Sequence, residues 1–187
     1  FLEMAKRSAS NVSGIELERV LQHSFQERKL NVFSNLEEAQ EESKKYDIIT
    51  AFHVVEHLKN PKEILKDLSQ LLTENGEMIV EVPNSDDALL TLYESNDFQN
   101  FTYWSQHLFL FNEKTMTKLI KQAGLKFNWI KHIQRYPLSN HLYWLAKGKP
   151  AGHKKWSFLN SNQSDQEYEH QLAAIGKTDT IIVGISK

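Results

Sequence analysis

The amino-acid sequence predicts an α/β fold with a doubly wound, mostly parallel sheet. Short apolar runs alternate with amphipathic stretches along the chain, which is the pattern of strands and crossover helices. The clearest strand is 46–52, an almost uninterrupted apolar run of the kind that a buried parallel strand requires. The clearest helix begins at Pro61, is capped by Asn60 and carries leucines at helical spacing.

The remaining elements follow from the same patterns and from glycine, proline and asparagine boundary signals. The first half predicts a helix over 1–7, a strand over 11–16, a helix over 17–27, a strand over 30–33 and a helix over 36–44. The second half predicts the end of the Pro61 helix at Asn75 and Gly76, a strand over 78–82 stopped by Pro83, a helix from Asn112 to Gly124, and strands over 125–134 and 178–186.

Length and composition narrow the class of protein. The 187 residues suit one domain, and 22 basic against 24 acidic residues give a net charge of −2 without a concentrated basic face. A nucleic-acid partner is therefore not expected. The absence of cysteine excludes disulfides and thiolate metal sites and suits a cytoplasmic location. No apolar run approaches the length of a membrane span, so no membrane partner is expected.

Glycine is scarce and widely spaced. The chain has seven glycines, and no two stand close enough to form a G-x-G. The sequence therefore contains no glycine-rich phosphate loop of the dinucleotide or P-loop type.

Glu16 stands at the carboxyl end of a predicted strand, which is where open α/β sheets bind ligands. A carboxylate there can accept hydrogen bonds from both hydroxyls of a ribose. The alternative is that Glu16 only places a negative charge at a helix N-terminus, where an anion is favoured.

The segment His53-Val54-Val55-Glu56-His57 has the H-x-x-E-H spacing of inverted zinc peptidases. On a helix, His53 and His57 would share one face and could bind zinc, with Glu56 as the base. Because the segment directly follows the strand 46–52, the helix that would align these ligands is not expected. Zinc hydrolysis remains an alternative, and the favoured interpretation of the site includes no metal.

The surroundings of this segment resemble the class I S-adenosylmethionine-dependent methyltransferases, in the branch with an EHL…P…G…VPN pattern. The similarity extends over about residues 1–134. It is carried by Glu56-His57-Leu58, Pro61, Leu65, Leu68, Gly76, Val82-Pro83-Asn84, Gln106-His107-Leu108 and Ala123-Gly124-Leu125. It implies a Rossmann-like sheet with an antiparallel last strand, S-adenosylmethionine as the cofactor, and methyl transfer as the activity.

The resemblance also implies which residues contact the cofactor. Glu16 matches the acidic residue at the ribose, and Leu17 lies beside the adenine. Asn35 and Leu36 match the loop that closes on the adenine edge. The wall along the methionine part corresponds to Ala51, Phe52 and His53. An aromatic ring such as that of Phe52 could attract the cationic sulfonium.

The family begins with a strand and a glycine-rich loop, and the resemblance implies that both precede Phe1. The chain is therefore expected to be N-terminally truncated and to lack that strand and loop. A sheet without this central strand has unpaired edges, which could join copies of the chain into a homo-oligomer.

The candidate catalytic residues are His57, His107 and Glu56, since an oxygen or nitrogen acceptor can require a base and Glu56 could orient a histidine. His53 is a further candidate for the base. Each histidine could instead be a structural, hydrogen-bonded side chain. The segment 135–177, rich in aromatic and amide residues, is expected to cover a small-molecule or glycan acceptor. Its alternative is a surface helical hairpin that packs Leu142, Tyr143 and Leu145. For the whole protein, the alternative function is a non-catalytic binding module.

Overall fold

The computed structural model of the protein describes residues 1–104 and 106–187. Contacts divide the chain into two units, Phe1–Tyr46 and Asp47–Lys187. The strands are β1 (Ser13–Ile15), β2 (Asn31–Phe33), β3 (Tyr46–Phe52), β4 (Leu72–Pro83), β5 (Lys126–Ile133) and β6 (Thr180–Ser186). The helices are α1 (Leu2–Ala5), α2 (Gln22–Glu27), α3 (Leu36–Glu41), α4 (Pro61–Gln70), α5 (Ala88–Thr91), α6 (Asn96–Thr102), α7 (Glu113–Gln122), α8 (Leu138–Lys147), α9 (Gly152–Lys155) and α10 (Asn162–Ala174).

The first unit is built on a parallel pair of strands, in which Ser13 of β1 lies opposite Asn31 of β2. The predicted helix over 17–27 divides into a 3-10 turn, Arg19–Leu21, and α2. The helix predicted over 36–44 ends at Glu41, and Ser43 then takes a left-handed φ of 53°. Both helices are therefore shorter than the sequence pattern predicts.

The second unit contains a four-stranded sheet in the order β3-β4-β6-β5. β6 is antiparallel to both neighbours, with Val183 opposite Val80 of β4 and Ile130 of β5. β4 and β5 therefore run in the same direction, and the last strand runs against them. The predicted α/β class and the antiparallel last strand are confirmed.

The core of the second unit lies between this sheet and the helices α4 and α7. Leu65 of α4 and Met116 and Ile120 of α7 are fully buried against Val80 and Ile181 of the sheet. α7 begins as predicted: the Asn112 side chain accepts the N–H of Thr115, and the Thr115 hydroxyl accepts the N–H of Asn112. Apolar residues at helical spacing therefore form this core, as the sequence predicts.

Two expectations for the segment around α4 are wrong. Asn60 makes no side-chain capping bond, and α4 ends at Gln70, well before Asn75. Residues 72–76 belong to β4, and the Thr73 hydroxyl donates to the Asp47 carboxylate at 3.1 Å, which holds this segment beside β3. β3 lies at the edge of its sheet, and Ile48 is 62% exposed although its apolar run predicts a buried strand.

The segment 135–177 folds into α8, α9, a 3-10 turn over Ser157–Leu159, and α10. The residues of α8 that are buried include His141 and Trp144, whereas Leu142 and Leu145 are exposed. The helical alternative for this segment was therefore right about its secondary structure and wrong about which face of the first helix is buried.

Candidate functional site

Charged side chains converge where β3 ends. The chain turns sharply at His53, whose φ of 52° is a left-handed conformation that a non-glycine residue rarely adopts. The backbone N–H of His53 donates to the carbonyl of Glu81 at 2.9 Å, and this bond fixes the turn against β4. Strained backbone of this kind is held in place by its surroundings and is often found at functional sites.

The imidazole of His53 lies between two carboxylates. Its Nε2 is 2.9 Å from Glu81 Oε1, and its Nδ1 is 3.3 Å from Glu56 Oε1. The Glu56 carboxylate raises the pKa of His53, with a further contribution from Glu81, while burial and the Arg135 guanidinium oppose the increase. The side chain of His53 remains 29% exposed, so a ligand can reach it.

Arg135 is the fourth charged residue of this group. Its guanidinium lies against His53 Nε2 and 3.6 Å from Glu81 Oε1. The backbone of Arg135 is held by the carboxylate of Asp179, which accepts its N–H at 3.0 Å. The start of the segment 135–177 is therefore fixed at the end of β3.

The three candidate catalytic residues are brought together. One ligand atom from each of Glu56, His57 and His107 lies within 4.8 Å of the other two. Glu56 and His57 belong to the 3-10 turn Val55–His57, and the backbone N–H of Phe109 donates to the Glu56 carbonyl at 3.1 Å. That bond holds the segment containing His107 beside the turn.

The alternative zinc site lacks the helix that it needs. The segment from His53 to His57 forms a left-handed residue followed by a single 3-10 turn, so the i and i+4 alignment of the two histidines is absent. His107, not His53, completes the group of close ligand atoms.

The first unit presents the residues predicted to contact the ribose and adenine. Glu16 follows β1, and its Oε1 accepts the N–H of Glu18 at 3.0 Å. Within residues 1–104 and 106–187, Oε2 has no hydrogen-bond partner, so one oxygen is available to a ribose hydroxyl. Leu17 is 71% exposed, and it offers an apolar surface. These groups fit the cofactor that the resemblance implies.

Asn35 and Leu36 have a local role in the same unit. The Asn35 side-chain oxygen accepts the N–H of Glu38 at 2.8 Å and so caps α3, which leaves its amide hydrogens for another partner. In the second unit, Ala51 is buried and the ring of Phe52 is partly exposed at the end of β3. Successive residues of a strand point to opposite faces, so the Phe52 ring is accessible to a ligand while the Ala51 side chain packs in the core.

Three residues of the site were not found from the sequence: Glu81, Arg135 and Asp179. Glu81 has a recognisable signal, because it is a lone charge within the apolar run of β4. Asn84, part of the VPN pattern, has a structural role: it is buried, and its side-chain amide donates to the carbonyls of Gly176 and Thr178. Nothing in the sequence separates Arg135 and Asp179 from the other charged residues of the chain.

The surface near the histidines is open. A depression of about 340 Å³ is lined by His57, Gln106 and Leu108. A larger one, of about 820 Å³, lies on the outer side of α7 among lysines and away from the converging carboxylates. We therefore place the candidate site at the smaller depression. Among the described residues, no helix is long and apolar enough to cross a membrane.

Comparison with known proteins identifies the family. Residues 1–128 match the family described as a methyltransferase domain. A ubiquinone biosynthesis O-methyltransferase from Acinetobacter baylyi is 29% identical over 165 residues, which cover 76% of this chain and 65% of that protein. This chain thus spans slightly less than two thirds of the length of that relative.

Solved structures share the fold. A SAM-dependent methyltransferase from Archaeoglobus fulgidus superposes with a TM-score of 0.61 and 20% identity, covering 100% of this chain and 80% of that one. A plantazolicin methyltransferase, in complex with a triazolic desmethylPZN analog and SAH, superposes with a TM-score of 0.58 and 17% identity. The match covers 99% of this chain and 71% of that one. Because the family match spans more than half of the chain, the protein belongs to the class I methyltransferases, the family whose cofactor is S-adenosylmethionine.

Proposed function

We propose that the protein transfers a methyl group from S-adenosylmethionine to a hydroxyl oxygen of a small-molecule or sugar-type acceptor. The observation that carries the proposal is the position of His53, partly exposed at the end of β3 and held between Glu56 and Glu81. Ligands of open α/β sheets bind at this edge. The relative named as an O-methyltransferase supports oxygen as the acceptor atom.

The cofactor supplies an electrophilic methyl group on a sulfonium centre. For its binding we assign Glu16 and Leu17 to the ribose and adenine, and Asn35 and Leu36 to the adenine edge. The ring of Phe52 can lie along the cationic part, a contact of about 0.5–2 kcal/mol, and we assign the backbone of Ala51 to the same stretch of the site. The backbone turn at His53 completes this wall.

A hydroxyl oxygen loses its proton when it is methylated, and a positioned base accelerates such a step by about 10²–10⁴-fold. We assign this proton to the imidazole of His53. The Glu81 carboxylate lies 2.9 Å from its Nε2 and would stabilise the imidazolium that forms. Glu56, His57 and His107 form the adjoining wall on the acceptor side. The segment 135–177, anchored through Arg135, would cover the acceptor.

The test uses the purified chain with methyl-labelled S-adenosylmethionine and a panel of a phenol, a catechol and a free sugar. We expect the label in a methyl ether, and calorimetric binding of S-adenosylhomocysteine. His53→Gln should lower kcat at least about 100-fold, while His23→Gln on α2 should leave it unchanged. His23 is an exposed histidine outside the residues assigned to the cofactor and the acceptor, and it serves as the matched control.

Two outcomes would contradict the proposal. Binding of S-adenosylhomocysteine without label on any hydroxyl would exclude this acceptor chemistry. Failure to bind S-adenosylhomocysteine would instead favour the non-catalytic binding module. The cytoplasmic location and the homo-oligomer stay predictions.

A further inference from the structure

We propose that Glu56, His57 and His107 bind a divalent transition-metal ion, of the class that accepts imidazole nitrogen together with carboxylate oxygen, such as Zn²⁺ or Co²⁺. Neither metal binding nor its measurement depends on methyl transfer, so the proposal stands independently of the proposed function.

The first support is geometric. One imidazole nitrogen from each histidine and one Glu56 oxygen all lie within 4.8 Å of one another, and His57 Nε2 is 3.8 Å from Glu56 Oε1. A bound transition metal holds such ligands at about 2.0–2.2 Å, so neighbouring ligand atoms stand about 3–3.5 Å apart. Ion binding therefore needs side-chain shifts of about 1 Å and no change of fold.

The second support is the protonation pattern of the two histidines. His57 Nδ1 lies 2.7 Å from the carbonyl of Gln106, and His107 Nδ1 lies 3.0 Å from the carbonyl of Thr102. A carbonyl can only accept, so both Nδ1 atoms donate, and in the neutral ring Nε2 carries the lone pair. Metal-binding histidines characteristically donate their second N–H in this way, which fixes the tautomer and the ring orientation.

The third support is Glu56 itself. Its side chain is only 1% exposed, and neither carboxylate oxygen has a hydrogen-bond partner among the described residues. His53 Nδ1 approaches Oε1 at 3.3 Å, beside one of the two carboxylate oxygens. A buried, unpaired carboxylate is costly. A cation beside it, within reach of the two imidazoles, would remove that cost.

The site also has access to solvent. His57 is partly exposed and lines the open depression of about 340 Å³. With three protein ligands, a tetrahedral ion keeps one position free for water or for an acceptor oxygen. The arrangement therefore resembles an open metal site more than a closed structural one.

Binding is measured by titrating the purified chain, without cofactor, with ZnCl₂ in a calorimeter and with CoCl₂ in a spectrophotometer. We expect one ion per chain, a visible Co²⁺ spectrum of a site with nitrogen ligands, and paramagnetic broadening of the ring signals of His57 and His107. Glu56→Gln, which has nearly the same shape, and His107→Asn should each weaken binding at least about 100-fold.

His170→Asn is the matched control and should bind as the parent does. Thermal unfolding of the metal-free variants checks that they fold. The measurements on the parent protein decide the matter even if a variant fails to fold. Absence of stoichiometric binding to the parent would overturn the proposal, as would binding that leaves the His57 and His107 signals sharp. Equal loss of affinity in His170→Asn would also overturn it.

Discussion

The Asp179 carboxylate accepts the backbone N–H of Arg135 at 3.0 Å. Its second oxygen accepts the N–H of Tyr136 at 3.1 Å and an amide hydrogen of Gln134 at 3.0 Å. One side chain at the start of β6 therefore satisfies three donors at the point where β5 leads into the segment 135–177. Because Arg135 lies beside Glu81, this anchor also positions a charge of the candidate site.

Asp179→Ala should lower the free energy of unfolding by at least about 2 kcal/mol, because it leaves two backbone N–H groups without an acceptor. Urea unfolding followed by tryptophan fluorescence measures the change. Asp67→Ala on α4 is the control, and it should change the value by less than about 0.5 kcal/mol. Parent-like stability of Asp179→Ala would show that the anchor is dispensable.

Glu16→Gln should weaken binding of S-adenosylhomocysteine about 10–100-fold, since a charge-assisted hydrogen bond to a hydroxyl contributes about 1.5–3 kcal/mol. Calorimetry measures the change. The control is Glu18→Gln, two residues further on, which keeps the backbone N–H that Glu16 accepts. If both variants bind as the parent does, Glu16 serves only the local turn and the first turn of the following helix.

Two buried groups oppose one another in their effect on stability as pH changes. Burial raises the pKa of Asp87 to about 7, and the nearby Asp179, whose own pKa is raised by burial, adds to this. Burial lowers the pKa of His141 to about 4. The neutral ring of His141 is held by Tyr168 at Nδ1 and by Gln134 at Nε2.

The contributions of Asp87 and His141 to stability change in opposite directions with pH. Asp87 contributes stability that is fully present below pH 3.8 and is lost as pH rises to about 7. The contribution of His141 is fully present above pH 6.5 and is lost as pH falls to about 4. Between pH 4 and 6.5 the loss of the Asp87 contribution and the gain of the His141 contribution with rising pH largely cancel.

Single variants should separate these effects. In His141→Gln, the free energy of unfolding should fall steadily from pH 4 to pH 7. In Asp87→Asn, which retains an oxygen to cap α5, it should rise over the same range or stay level if Asp179 offsets the gain. Urea unfolding at several pH values measures both. Identical profiles for the two variants would refute the opposed pKa shifts.

Local pattern was enough to predict most elements, and tertiary pairing explains the failures. β3 was predicted with its bounds because an apolar run of β-branched residues has no competing interpretation. The end of α4 was wrong, since Asn75-Gly76 is a good helix end in isolation. Pairing beside β3 takes residues 72–76 into a strand instead.

The candidate site was predictable only where a motif marks it. Glu56, His57 and His107 were grouped from the family pattern, and the structure brings them together although 50 residues separate His57 from His107. Arg135 and Asp179 could not be found in this way. Their relationship depends on β5 and β6 lying side by side, which no local spacing records.

Gly152→Ala should destabilise the segment 135–177 by more than about 2 kcal/mol. A Cβ at this position would lie 2.7 Å from the Ser139 carbonyl oxygen and 2.8 Å from the Asn140 Cα, both rigid backbone atoms of α8. Gly124→Ala is the comparison: it has open space and a φ of +76°, so it should cost only about 1 kcal/mol of strain. Equal losses in the two variants would argue against close packing of α9 on α8.

Trp144 joins α8 to α6 and tests how the segment 135–177 is attached. Its indole is 3% exposed and lies 5.1 Å from the ring of Phe98 and 5.2 Å from that of Phe101. Trp144→Ala should lower the free energy of unfolding by about 3–5 kcal/mol, because it removes a large buried ring and leaves a cavity. Leu145→Ala, at the next and exposed position, should cost less than about 1 kcal/mol. If Leu145→Ala proved the more damaging of the two, α8 would have to bury the side that carries Leu142 and Leu145, which is the side that the helical-hairpin alternative packs.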